Sequence, residues 1–156
     1  MPLDSTRGKS LQTTLEADLL AALKSGDNFT RDTLRFLKSV LKNAEIDSSG
    51  DLTDEQVVSV IQKEVKKRVE AEILFKQANK PELATNEAAE AEILKKYLPE
   101  QMDEEGIKTV VTEYLAANPT KIDQMGAAMG ALSAKLKSQA DMSLVSQILR
   151  QKIQNG

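Results

Sequence analysis

Pro99 divides this chain. Upstream, helical periodicity runs with few breaks to Lys95-Lys96, and downstream Met102-Asp103-Glu104-Glu105 reads as the start of a fresh helix. Proline lacks a backbone donor and drives the residue before it, here Leu98, out of the α region. A helix arriving at Tyr97-Leu98-Pro99-Glu100-Gln101 must therefore stop. Tyr97 and Leu98 are apolar enough to be anchored against a core, and an anchored break between two helical blocks is a domain joint. The expectation is an all-α chain. A larger N-terminal helical bundle, residues 1–96, is joined by a Pro-containing hinge, 97–102, to a small three-helix C-terminal domain, 103–156.

The periodicity places the elements. Leu11, Leu15, Leu19 and Leu23 recur every four residues, and Gly26 is placed as a left-handed cap after Ser25. A second helix from about Thr30 buries Leu34, Leu37 and Leu41 and fades at Asp47-Ser48-Ser49-Gly50. Thr53 and Gln56 have capping-box spacing and open the longest helix, running to Asn79, with Val57, Ile61, Val65, Val69 and Ile73 as its apolar stripe. Pro81 suits a first turn, and Ala84, Ala88, Ala91 and Leu94 then form a small-residue face. Beyond the joint, Asp103 caps a helix burying Ile107, Val110, Val111 and Tyr114, which closes at Asn118-Pro119. A helix from Ile122 to about Lys137 carries Met125, Met129, Leu132 and Leu136, and Asp141 caps the last, with Leu144, Val145, Ile148 and Leu149 inside.

Composition excludes much chemistry. With only 3% aromatic residues the core is aliphatic, which suits helix packing. There is no Cys, hence no disulfide or thiol nucleophile, and no His, the commonest general base and metal ligand. No phosphate-binding loop or dinucleotide-binding glycine fingerprint occurs, and no carboxylate pair stands out. No catalytic residue, metal site or cofactor is expected. Met1-Pro2-Leu3-Asp4-Ser5 contains no apolar leader and no long apolar run follows, so the expected setting is cytoplasmic, without a membrane. A formal charge of −3 leaves any RNA contact to local patches.

Two charge features lie on the long helix. Lys63, Lys66 and Lys67 fall together opposite the apolar stripe, as a phosphate-binding helix requires, although a solvated face with Glu70 in the same arc accounts for them as well. Glu64, Arg68 and Glu72 follow at i, i+4 and i+8, with Arg68 and Glu72 projecting from the arc of the apolar stripe. Charges there must be paired or reach a cleft, so they make either a structural ion pair to a neighbouring helix or a functional site.

Met125-Gly126-Ala127-Ala128-Met129-Gly130 sets two glycines one turn apart, with Ala134 a turn further. A mid-helix Gly costs about 0.8–1 kcal/mol relative to Ala. Two of them on one face point to close approach by something large: the last helix, an RNA backbone or a partner helix. With Met125, Met129 and Lys135 they form the candidate RNA- or partner-binding set of this helix, beside Lys63, Lys66, Lys67 and Arg68 upstream.

These stretches carry a resemblance. Leu34-Arg35-Phe36-Leu37-Lys38-Ser39 with Lys42-Asn43-Ala44-Glu45-Ile46, then Lys63-Glu64-Val65-Lys66-Lys67-Arg68, are similar to the YqeY-like family. So are the joint Tyr97 to Gln101, the pair of Met-Gly steps, and Ala140-Asp141 with Leu144-Val145. The resemblance covers Leu11 to Ile153. It implies a helical bundle followed by a small domain similar to the tail of the B subunit of the Glu-tRNA/Asp-tRNA amidotransferase, where that tail helps hold tRNA. It also implies the family label, glutamine-dependent carbon–nitrogen ligase, although the catalytic cradle of that subunit has no counterpart here. Two departures stand out. Ser138-Gln139-Ala140-Asp141-Met142 replaces the family's Gly-Lys-Ala-Asp-Gly, making a basic turn neutral, and Gly106 replaces a helix-favouring residue, which is expected to loosen the helix after the joint.

The resulting expectation is a non-catalytic accessory module whose partners are tRNA, amidotransferase subunits or another protein. The competing expectations are a protein-interaction adaptor without RNA affinity and, from the family label alone, an amide-transfer enzyme.

Overall fold

In a computed structural model the backbone is described for residues 7–156 and side chains from Leu11 onward. The reading of Met1 to Ser5 lies outside the described residues. The described residues form seven α-helices and one 3-10 turn, without strands. The chain is all-α. It divides into two compact units between Leu98 and Pro99.

The first unit holds α1 (Arg7–Ser25), α2 (Asn28–Ser48), α3 (Asp54–Gln77) and α4 (Pro81–Lys95). Gly26, at φ +76°, turns the chain out of α1. Asp27 then caps α2 by accepting from the Thr30 N–H at 3.1 Å, so this helix begins two residues before the expected Thr30. Ser49 closes it in the left-handed region, φ 58°. Thr53 and Gln56 form the expected capping box, at 3.2 and 2.8 Å, and Pro81 takes the first turn of α4. Leu15, Leu19, Leu34, Leu37, Leu41, Leu52, Val57, Ile61 and Leu94 make one core, with Tyr97 and Leu98 packed against it.

Two apolar stripes end earlier than the sequence reading has them. On α1 Leu23 is exposed and Ala22 is buried in its place. On α3 the buried positions are Val57, Val58, Ile61, Glu64 and Arg68, while Val69 and Ile73 face outward. A four-residue step overshoots a helical turn by about 40°, so four such steps carry a side chain about 160° around the axis. Val57 and Ile73 therefore cannot share a face.

The second unit holds α5 (Glu104–Ala117), a 3-10 turn (Ile122–Gln124), α6 (Met125–Leu136) and α7 (Met142–Asn155). Asp103 caps α5 through the Gly106 N–H at 2.8 Å, and Asp141 caps α7 through the Ser143 N–H at 3.0 Å. Gly106 sits in the first turn of this helix and donates the capped N–H. A Cβ there would meet Met102 Cγ at 3.1 Å and the capping Asp103 Oδ1 at 3.2 Å, tighter than ordinary contact. The helix expected from Ile122 opens instead as the 3-10 turn. The Gln124 N–H donates to the Lys121 carbonyl at 2.9 Å while its side chain accepts from the Lys121 N–H at 3.0 Å. Ile107, Val111, Ala128, Leu132, Leu136, Ala140, Val145, Ile148 and Leu149 form this unit's core.

The joint is tied at both ends. Tyr97 donates its hydroxyl to Asp18 at 2.5 Å within the first unit. In the second, the Met102 N–H donates to the Gln139 carbonyl at 2.7 Å and Gln101 Nε2 to the Ser138 carbonyl at 2.8 Å. Pro99 and Glu100 are left exposed between these anchors.

Candidate functional site

Arg68 is one of two buried charges on α3, with Glu64 the other. Arg68 is 8% exposed, and its Nη1 donates to Glu64 Oε2 at 2.8 Å and to the Glu64 carbonyl at 3.1 Å. Its Nε reaches Glu90 of α4 at 3.2 Å, and its guanidinium lies 5.1 Å from the centroid of the Phe36 ring on α2. The structural alternative for this ladder therefore describes it: an ion pair tying α3 to a neighbour. Its membership differs from the sequence reading. Glu64 is the buried carboxylate, whereas Glu72 turns to Lys76 at 2.8 Å. Glu87, also on α4, has its carboxyl raised above the ordinary range, first by burial and then by Glu90. The Arg68 guanidinium is thus largely buried and paired within the first unit.

Lys63, Lys66 and Lys67 are exposed on α3. The strip is partly spent within the chain: Lys67 Nζ donates to Glu64 Oε1 at 3.2 Å, and Lys66 has an intramolecular interaction of its own. Another basic row, not singled out in the sequence, lies on α2 and comprises Arg31, Arg35, Lys38 and Lys42. Its i, i+4, i+7, i+11 spacing is the signal that reveals it.

The glycines of α6 resolve one choice. The helix turns Ala128, Leu132 and Leu136 inward, with Met125 and Met129 packed at the edge of the same core. Gly126 and Gly130 lie on the opposite side, and a Cβ at either would meet nothing within 4 Å. Ala127, Ala131, Ala134 and Lys135 are exposed with them. Packing by the last helix, one of the expected explanations, is overturned: α7 meets the core side of α6, and the glycine side is open.

The turn before α7 is used internally. The carbonyls of Ser138 and Gln139 accept the two bonds from the joint, and Ala140 is buried. A cleft of about 360 Å³ beside it is lined by Glu100, Gln101, Met102, Asp103 and Gln139. Two carboxylates and no cation make that cleft unsuited to phosphate. No cluster of three or more His, Cys, Asp or Glu placed to hold a metal occurs among the described residues.

Two helical units, one knotted by a buried arginine and the other displaying a bare helix face, define an all-α protein whose accessible features are surfaces. The sequence pattern described as "Yqey-like protein" matches residues 12–153, and the chain belongs to this YqeY-like family. It is similar to "Altered inheritance of mitochondria protein 41, mitochondrial" of Clavispora lusitaniae, 36% identical over 126 residues, covering 79% of this chain and 72% of that protein. The protein of the same name from Lachancea thermotolerans is 30% identical over 113 residues, covering 68% of this chain and 60% of that one. An uncharacterized protein of Schizosaccharomyces pombe is 32% identical over 91 residues, 58% of this chain and 74% of its own length. No helix among the described residues is long and apolar enough to cross a membrane.

Proposed function

We propose that the chain is a non-catalytic accessory module that engages tRNA, alone or within a tRNA-dependent amidotransferase-like complex. The observation that carries this reading is the open face of α6. Gly126 and Gly130 keep the backbone bare there, and the flanking Ala127, Ala131 and Ala134 add only methyl groups, while Lys135 is an exposed cation in the last turn of the same helix. A sugar–phosphate backbone can approach such a helix more closely than one covered by long side chains. The similarity of this unit to a tRNA-holding tail supports the same reading. The compartment proposed is the cytoplasm; the mitochondrial names of two relatives belong to those proteins.

Titrating labelled tRNA with the intact chain at low salt tests this, with anisotropy as readout. Gly126→Leu with Gly130→Leu should abolish binding while circular dichroism stays that of the folded protein, because both positions open to solvent. A folded double variant that binds like the wild type removes the α6 face from the account.

A second reading, a protein-interaction adaptor, is favoured by a different feature. Ile73 and Leu74 near the end of α3 and Leu83 near the start of α4 are 49%, 63% and 43% exposed. No binding of tRNA by the wild type at low salt would favour this adaptor.

A further inference from the structure

Arg31, Arg35, Lys38 and Lys42 lie within an arc of about 60° on α2 and span about 16 Å of its axis. The buried side of the helix, Thr33, Leu34, Leu37 and Leu41, points elsewhere. Arg35, Lys38 and Lys42 are exposed, and the short polar Asn28, Ser39 and Asn43 flank the row without covering it.

The carboxylates that meet this row hold it weakly. Asp32 takes Arg31 at 2.8 Å, and Glu16 of α1 takes Lys38 at 3.1 Å, with both carboxylates exposed. Such exposed surface pairs are weak and yield to a stronger anion. Arg35 lies near enough to Asp32 to help lower that carboxyl but makes no ion pair within 4 Å among the described residues. Glu45, at the edge of the row, is engaged by Gln12 at 2.9 Å. Lys42 likewise has no ion pair among the described residues.

We propose that this row is a contact surface for the phosphate backbone of RNA, carried by the first unit and separate from the α6 face. The inference rests on the tRNA reading above and deepens it by naming a second set of residues. A straight line of cations, one helical turn apart, is complementary to a linear polyanion. The row is made of cations alone, which suits positioning along the backbone.

The test uses the full chain, labelled tRNA and a series of salt concentrations. Each phosphate contact removed should flatten the plot of log affinity against log salt by about 0.7–0.9. Arg35→Gln with Lys42→Gln should therefore weaken binding and flatten that slope by about 1.4–1.8, with helicity unchanged. Glu16→Gln, which releases Lys38, should strengthen binding. If the wild type binds and the Arg35/Lys42 variant keeps its affinity and slope, the row is not a contact and the α6 reading stands alone. If the wild type binds no tRNA, both readings fall together.

Discussion

Arg68 and Glu64, one helical turn apart on α3, meet at 2.8 Å with both side chains buried. Their neighbours complete the arrangement: Lys67 takes the second oxygen of Glu64, and Glu90 of α4 takes Arg68 Nε. Removing one partner of such a pair leaves an uncompensated charge out of water, which costs about 3–5 kcal/mol. Arg68→Ala should therefore destabilise the first unit by that amount in chemical denaturation. Arg68→Met with Glu64→Gln, which removes both charges, should recover much of the loss. Equal destabilisation by the two variants would show that packing rather than charge holds α3 to its neighbours.

The joint yields a pH prediction. Burial, and then the bond to the Asp18 carboxylate, raise the Tyr97 hydroxyl above its ordinary value of 10.0. The folded state therefore holds this proton more tightly than the unfolded chain does. The associated stability is fully present below about pH 10 and is lost as pH rises through the folded value. Tyr97→Phe should be less stable at neutral pH by about 0.5–1.5 kcal/mol for the lost hydrogen bond and should show a smaller decline above pH 10. Parallel alkaline declines for the two proteins would rule out this linkage.

Gly130, inside α6 with open space where a Cβ would stand, offers a gain. Gly130→Ala should stabilise the second unit by up to about 0.8–1 kcal/mol, the helix-interior difference between the two residues. Gly126 lies in the first turn, where the same change should give less. A lower denaturation midpoint for Gly130→Ala would mean that the face is covered in solution.

Between the Tyr97–Asp18 bond and the bonds from Gln101 and Met102, only Pro99 and Glu100 lack anchoring to either unit's helices. A protease specific for glutamate should cut first after Glu100, before Glu104 or Glu105 within the first turn of α5. Early cleavage inside α3 instead would show that helix, not the joint, to be the weak point.

The helices were legible because their ends carry local chemistry that needs no tertiary partner. Thr53 with Gln56, Asp103, Asp141, Gly26 and Pro81 mark termini by hydrogen bonding or by restricted φ, and each acts within a few residues. Burial was less legible. Counting in fours keeps Leu23, Val69 and Ile73 on a stripe that the true pitch has already left, and it hides that Glu64 takes one of the buried places. The ladder's need for a partner could be read from Arg68 projecting among apolar positions, but Glu90 lies on another helix and only the fold brings it close. For the glycines, sequence shows that the backbone is bare and says nothing of what stands in front of it.

The two cores share no residue, one closing over Leu34 and Leu37 and the other over Val111 and Val145. Calorimetry should therefore show two transitions, one for each core, rather than a single midpoint. A ligand seated on α6 should then raise the transition of the unit that contains α6, by an increment set by its concentration relative to its dissociation constant. Heating the protein with and without tRNA would thus act as a map: the transition that moves identifies the unit that is bound.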